Sequence, residues 1–288
     1  MLLEILQNSA TLLISLVFVI GILIGSFLNL VIYRLPLIMQ RQWRHECQNF
    51  LELPITDMDQ SFNLAFPASH CPHCKTPIKA YDNIPLISFC LLAGKCRDCQ
   101  ATISVRYPLI ELFTGLCSAL IAWRFGFSIS MLFALLLTWS LIAQSVIDID
   151  NQLLADSISL PMLWLGLLLS VFSIYTNSHD SIIGAIAGYL SLWSVYQLFK
   201  LATGKDGMGY GDFKLLALLG AWLGWQYLPL IILLSSLVGA IIGVSMVLLK
   251  NHKFSQTIPF GPYLAAAGWV ALMWGTELNQ LYLNLITI

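Results

Sequence analysis

The chain has 288 residues, of which 58% are hydrophobic and only 10% charged, with a mean hydropathy of +0.80. A soluble domain carries about 25% charged residues, so the composition excludes a soluble enzyme and points to a polytopic, all-α membrane protein. The formal net charge of −1 decides little, because in a membrane protein the placement of the charges carries the information; no nucleic-acid partner is expected.

The first apolar run covers about residues 11–32. Its start lacks the basic head of a signal peptide, the run is too long for a signal core, and no small-residue cleavage pattern follows. It reads as a retained transmembrane helix, since roughly 20 apolar residues span a bilayer. It ends in Gly25-Ser26-Phe27-Leu28-Asn29 and continues to Arg34-Leu35-Pro36, where the proline is expected to stop the helix.

Residues 35–107 form the one sizeable polar stretch, a domain too small to build a core unaided. Seven more apolar segments follow at about 108–124, 129–147, 157–175, 181–199, 213–225, 228–249 and 262–285. The segment at 213–225 is short enough to be a tilted or partial span. The expected organisation is a first transmembrane helix (1–34), a cytoplasmic loop domain (35–107) and a seven-helix membrane core (108–288), eight spans in all. Alternating the loops across eight spans puts every one of the 14 Lys and Arg residues except Arg124 on one side. By the positive-inside rule that side is cytoplasmic.

Two acids then arrive at one level. Asp148 closes the third apolar segment in Asp148-Ile149-Asp150, and Asp212 opens the sixth, with two spans between them. Both therefore lie at the cytoplasmic border of the membrane, where an acidic residue is a functional hypothesis by default. Two close carboxyl groups can share a proton, one serving as base on a water and the other as acid to a carbonyl. Asp150 is the adjacent competitor for the first role, and all of Asp148, Asp150 and Asp156 could instead merely solvate a loop. Asp212 follows Gly209-Tyr210-Gly211, and glycines there leave room for a substrate backbone. Lys214 is placed either to bias the charge of Asp212 or to reach the interface.

Cys71-Pro72-His73-Cys74 and Cys96-Arg97-Asp98-Cys99 form two Cys-x-x-Cys pairs in the polar stretch. Four thiolates so spaced suit a tetrahedral, structural Zn2+, which would fold a domain too small to fold alone; a redox role is the competing reading. His70 and His73 are expected to be solvent-facing neighbours of the site. Cys47, Cys90 and Cys117 are spare thiols, the last packed in a helix. Arg34, Arg106 and Glu111 sit at helix ends and are expected to pair with one another or with lipid headgroups, and Asn29 to satisfy itself by an interhelical hydrogen bond.

Several separate stretches together resemble the bacterial type IV prepilin peptidases, GxGD-type intramembrane aspartic proteases of peptidase family A24. They are Gly25 to Asn29 with Pro36, the paired cysteine loop, Ser104-Val105-Arg106-Tyr107-Pro108 with Glu111, Asp148-Ile149-Asp150 with Asp156, Gly209-Tyr210-Gly211-Asp212-Phe213-Lys214, and Pro259-Phe260-Gly261-Pro262. The resemblance implies that Asp148 and Asp212 are the catalytic pair. The substrates it implies are the prepilins of type IV pili and the pseudopilins of type II secretion, cut at the leader. It also implies methylation of the new N-terminal amine with S-adenosylmethionine, and a place in the bacterial inner membrane among lipid. Relatives that only cleave lack the long cysteine loop; the methyl-donor site and the oligomeric state are not assigned, and Gly94, in the loop's shared pattern, is given no role. Where the family often has Leu-Pro-Asp, this chain has Leu154-Ala155-Asp156. A peptidase without methyl transfer, a membrane zinc or thiol sensor, and a proton-coupled transporter are the competing functions.

Overall fold

A computed structural model describes residues 6–7, 9–53, 62–250 and 259–286; Lys253, one of the basic residues counted above, lies outside them. The described residues contain nine α-helices, two 3-10 turns and two isolated β-bridges. They fall into two compact units, Met1–Met131 and Leu132–Ile288. That division follows packing, whereas the division at 34 and 107 follows expected membrane topology.

In the first unit, α1 (Ala10–Phe50) packs along α3 (Arg106–Phe125), with the short α2 (Ile87–Leu91) in the segment between them. The expectation that Pro36 ends the first helix is corrected: α1 runs unbroken for 41 residues with Pro36 inside it and buried. A proline removes one backbone hydrogen bond and crowds the preceding turn. Here the surroundings offset that loss. Two residues away, buried Arg34 donates through Nη1 to the carbonyls of Asn63 (3.0 Å) and Leu64 (3.2 Å), and through Nη2 to that of Pro67 (2.6 Å). Those bonds wrap residues 63–67 around the helix. Asn29 donates to the Tyr107 carbonyl at 3.1 Å, the expected interhelical bond. Arg34 and Glu111 do not pair with each other; the Glu111 carboxylate accepts from the Leu86 amide at 2.9 Å.

The second unit comprises α4 (Ile129–Asn151, its first turn in the other unit), α5 (Asp156–Val171), α6 (Ser178–Thr203), α7 (Tyr210–Leu223), α8 (Leu228–Lys250) and α9 (Gly261–Ile286). Among the described residues, five helical segments are long and apolar enough to cross a membrane: Ala10–Phe50, Arg106–Phe125, Ile129–Asn151, Ser178–Thr203 and Trp225–Ser245. At 14 residues α7 is about 21 Å long, short of the roughly 30 Å of a bilayer core. It is instead the centre of the unit, buried at every residue from Asp212 to Leu223 except Lys214, against α5, α6 and α9. A helix that is apolar all round is one buried all round.

Backbones approach closely to make this possible. A Cβ added at Gly184 of α6 would overlap the Gly220 carbonyl of α7, and one at Gly220 would overlap that of Gly184. Alanine ordinarily favours a helix over glycine by about 1 kcal/mol; at this crossing the sign reverses. Gly184→Ala and Gly220→Ala are each expected to destabilise the protein by about 1–3 kcal/mol, read as a lower melting temperature in detergent.

Candidate functional site

Asp148 lies in the last turn of α4, 5% exposed, and its Oδ2 accepts from the backbone N–H of Gly261 at 3.0 Å. Gly261 opens α9, so the carboxyl group meets a helix N-terminus, where free amides point outward. Asp150, two residues on, is exposed, so burial separates the two candidates. Asp212 lies in the first turn of α7, 7% exposed, with its amide donating to the Gly209 carbonyl at 3.2 Å. The two buried carboxyl groups are within electrostatic range of one another.

The two glycines before Asp212 differ. A Cβ at Gly209 would meet only Asp212 Oδ2, at 3.7 Å, so the space beside that residue is open. A Cβ at Gly211 would stand 2.7 Å from Leu154 Cβ and 3.1 Å from Leu154 Cδ1. The room expected at Gly211 for a substrate is occupied by Leu154. The loop before α7 is tethered from α6: the Tyr196 hydroxyl donates to Asp206 at 2.5 Å, and Lys200 Nζ lies 2.9 Å from the same oxygen. The Tyr196 hydrogen bond first, then Lys200, hold the Asp206 carboxyl below its usual range.

Residues 152–155 turn the chain from α4 into α5. Ser159 donates to Gln144 Oε1 at 2.7 Å, joining the two helices. At the head of α5, Asp156 accepts from Lys214 Nζ through both oxygens, at 2.8 and 2.7 Å. Lys214 is thus neither biasing Asp212 directly nor reaching outward; it fastens α7 to α5.

In the first unit the four cysteine Sγ atoms lie within 4.8 Å of one another, with Cys71–Cys99 at 3.8 Å and Cys74–Cys96 at 4.0 Å. Four sulfurs placed about 2.3 Å from one tetrahedral ion are about 3.8 Å apart, so the residues fit such an ion. The two knuckles repeat one conformation. Lys75 donates to the Cys71 carbonyl and Cys71 to that of Thr76; Gln100 donates to the Cys96 carbonyl and Cys96 to that of Ala101. The residue after each second cysteine takes a positive φ, 61° at Lys75 and 58° at Gln100. The side chain and then the amide of Thr76 hold the Cys74 thiol down, at about 6. Although the Ala101 amide favours its thiolate, Cys99 is pushed up to about 11 by desolvation and the neighbouring thiols. Four thiols this close do not all ionise together without a cation. Arg97, within the second knuckle, holds Asp82 through three hydrogen bonds, Nε to Oδ2 at 2.9 Å among them. His70 and His73 are exposed, and Cys47, Cys90 and Cys117 stand outside the cluster.

Known families match both regions. The family described as the bacterial peptidase A24 N-terminal domain matches residues 19–125, and the type IV leader peptidase family matches residues 135–244. Over 266 residues the chain is 58% identical to the prepilin leader peptidase/N-methyltransferase of Stutzerimonas stutzeri, covering 92% of each chain. It is 53% identical to the protein of the same name from Aeromonas hydrophila (99% of this chain, 98% of the relative) and 48% identical to that from Neisseria gonorrhoeae (88% and 87%). No solved structure matches.

The chain belongs to the type IV leader peptidase family. Its first matched region takes in α1 from residue 19 onward, the cysteine knuckles and α3, and its second both aspartates.

Two residues of this leader peptidase chain that touch the site had no role from sequence: Gly261, whose amide holds Asp148, and Leu154. The Pro259-Phe260-Gly261-Pro262 stretch was a signal for the first, but a glycine between prolines does not say which carboxylate it meets. The departure at Ala155 is also clarified. Its φ is −74°, inside the range a proline ring imposes, and its amide makes no hydrogen bond among those of the described residues. Ala155→Pro is therefore expected to stabilise the protein by about 0.4–1 kcal/mol, through the unfolded chain, raising the melting temperature without loss of activity.

Proposed function

We propose that this chain is a membrane-embedded aspartic endopeptidase that removes the N-terminal leader from prepilins and pseudopilins and then methylates the new N-terminal amine. The observation that carries the reading is the pair of buried carboxyl groups, Asp148 and Asp212, brought within electrostatic range beside the open space at Gly209. The relatives' name, prepilin leader peptidase/N-methyltransferase, supports both activities.

The ionised member of the pair takes a proton from a water, whose oxygen bonds to the scissile carbonyl carbon. The protonated member gives its proton to the carbonyl oxygen. When the tetrahedral intermediate collapses, the C–N bond breaks and the leaving amine takes up the proton first removed from the water. The backbone N–H of Gly261 holds Asp148 in place, and Gly209 leaves the substrate chain room to approach Asp212.

The chain is read as an eight-span protein of the bacterial inner membrane, with the aspartates and cysteine domain facing the cytoplasm. The side shared by nearly all its basic residues supports this orientation. The four cysteines are read as a structural Zn2+ site: a d10 ion with four thiolates needs the tetrahedral spacing they have. S-adenosylmethionine, when bound, supplies the methyl group. Among the described residues, which contain no β-strand, the glycine-rich strand-to-helix turn of dinucleotide sites has no counterpart.

Purified protein incubated with a prepilin and labelled S-adenosylmethionine tests the reading. Asp148→Asn and Asp212→Asn are each expected to lower cleavage by at least about a thousandfold while still labelling a pre-cleaved substrate. Cleavage persisting in both variants sinks the aspartyl mechanism, and an unlabelled wild-type product removes the methyl transfer. Metal analysis of reduced protein is expected to find one zinc per chain, lost in Cys99→Ser. Binding requires thiolates, so zinc uptake releases protons and weakens as pH falls; a full complement of free thiols at neutral pH in metal-replete protein overturns the assignment.

A further inference from the structure

Asp148 and Asp212 come from different helices, and one side chain touches the backbone that holds each. Leu154 presents Cδ1 to Gly211, 3.1 Å from where a Cβ would stand, and Cδ2 to Gly261, 3.2 Å from the corresponding point. Gly211 immediately precedes Asp212, and Gly261 carries the N–H that holds Asp148 at 3.0 Å. A Cβ on Gly261 would lie 2.6 Å from Asp148 Oδ2, so that backbone lies directly against the acid. The isobutyl group thus stands between the two chain segments on which the carboxyl groups depend.

Leu154 is itself held by the residues that follow it. Ala155 after it is fully buried, and the next residue, Asp156, is bound by Lys214 of the same helix that carries Asp212. An exposed ion pair contributes little stability, but it fixes the register of the turn against α7. Leucine is half-buried here, a position whose direct worth to the core is modest. Its neighbours give it a different weight.

We propose that Leu154 is a positioning residue that sets the separation of Asp148 and Asp212. A smaller side chain lets the Gly211 and Gly261 backbones close on the vacated space; a larger one forces them apart. Proton transfer through a water held between two carboxyl groups tolerates neither, and displacement by about 1 Å can lower a rate a hundredfold.

The inference rests on the peptidase reading, and the test separates the two. Leu154→Ala, Leu154→Phe and Leu154→Met are compared with wild type and Asp148→Asn for kcat and KM of prepilin cleavage, methyl transfer to a pre-cleaved pilin, and melting in detergent. The expected result is a kcat for cleavage lowered about ten- to a hundredfold in both Leu154→Ala and Leu154→Phe, with KM within about twofold. Methyl transfer stays near wild type, and Leu154→Met, of matching volume, recovers most of the rate. Cleavage at wild-type kcat in Leu154→Ala and Leu154→Phe overturns the proposal. So does a loss of cleavage that tracks the melting temperature, or the loss of folded protein, across all three variants, since that is a packing role alone. Failure of wild type to cleave, or cleavage by Asp148→Asn, instead overturns the peptidase reading.

Discussion

Everything in the second unit follows from burying a 14-residue helix on every side. Helix α7 has no lipid- or water-facing stripe, so its neighbours must come close enough to exclude both. The Gly184–Gly220 crossing is one means, and the indole of Trp222 against Gly166, with its Nε1–H donating to the Met162 carbonyl, is another. Ser181 reaches the Ala221 carbonyl from α6 in the same way. With the body of the helix fixed by packing, the place of its first turn is fixed too. Asp212 is therefore held by a packed core rather than by a loop, which is what a catalytic group needs when small displacements decide the rate.

The cysteine region solves the opposite problem. It has little apolar area to bury and two short turns in place of a core. Its two knuckles share one hydrogen-bond pattern and one positive-φ residue each, so the same local conformation is used twice, face to face. A metal held between them would replace the missing core, because the ligands of each half are incomplete alone. The Asp82–Arg97 pair then ties the preceding 3-10 turn to the second knuckle.

Much of this was legible from residue order. Counting spans allows Asp148 and Asp212 to reach one level without requiring them to meet, and the cysteine spacing anticipates the cluster of four Sγ atoms. The continuation of α1 through Pro36 was not legible, because proline's local penalty is visible in a sequence while the Arg34 contacts that offset it join residues about thirty apart. Gly209 and Gly211 look alike on paper, and only the position of Leu154 tells an open glycine from a filled one. Lys214 likewise has its partner 58 residues away. Local chemistry announces itself in sequence; the identity of what fills a gap does not.

The unbroken α1 has a mechanical meaning. At 41 residues it is about 60 Å long, twice the thickness of a bilayer core, and it is one rod from its apolar beginning to Phe50. Tilt of a membrane helix responds to bilayer thickness. In a rod of this length each ten degrees of tilt sweeps the far end through roughly 10 Å. A change in lipid thickness that tilted the helix would thus be magnified at Phe50, well beyond the span.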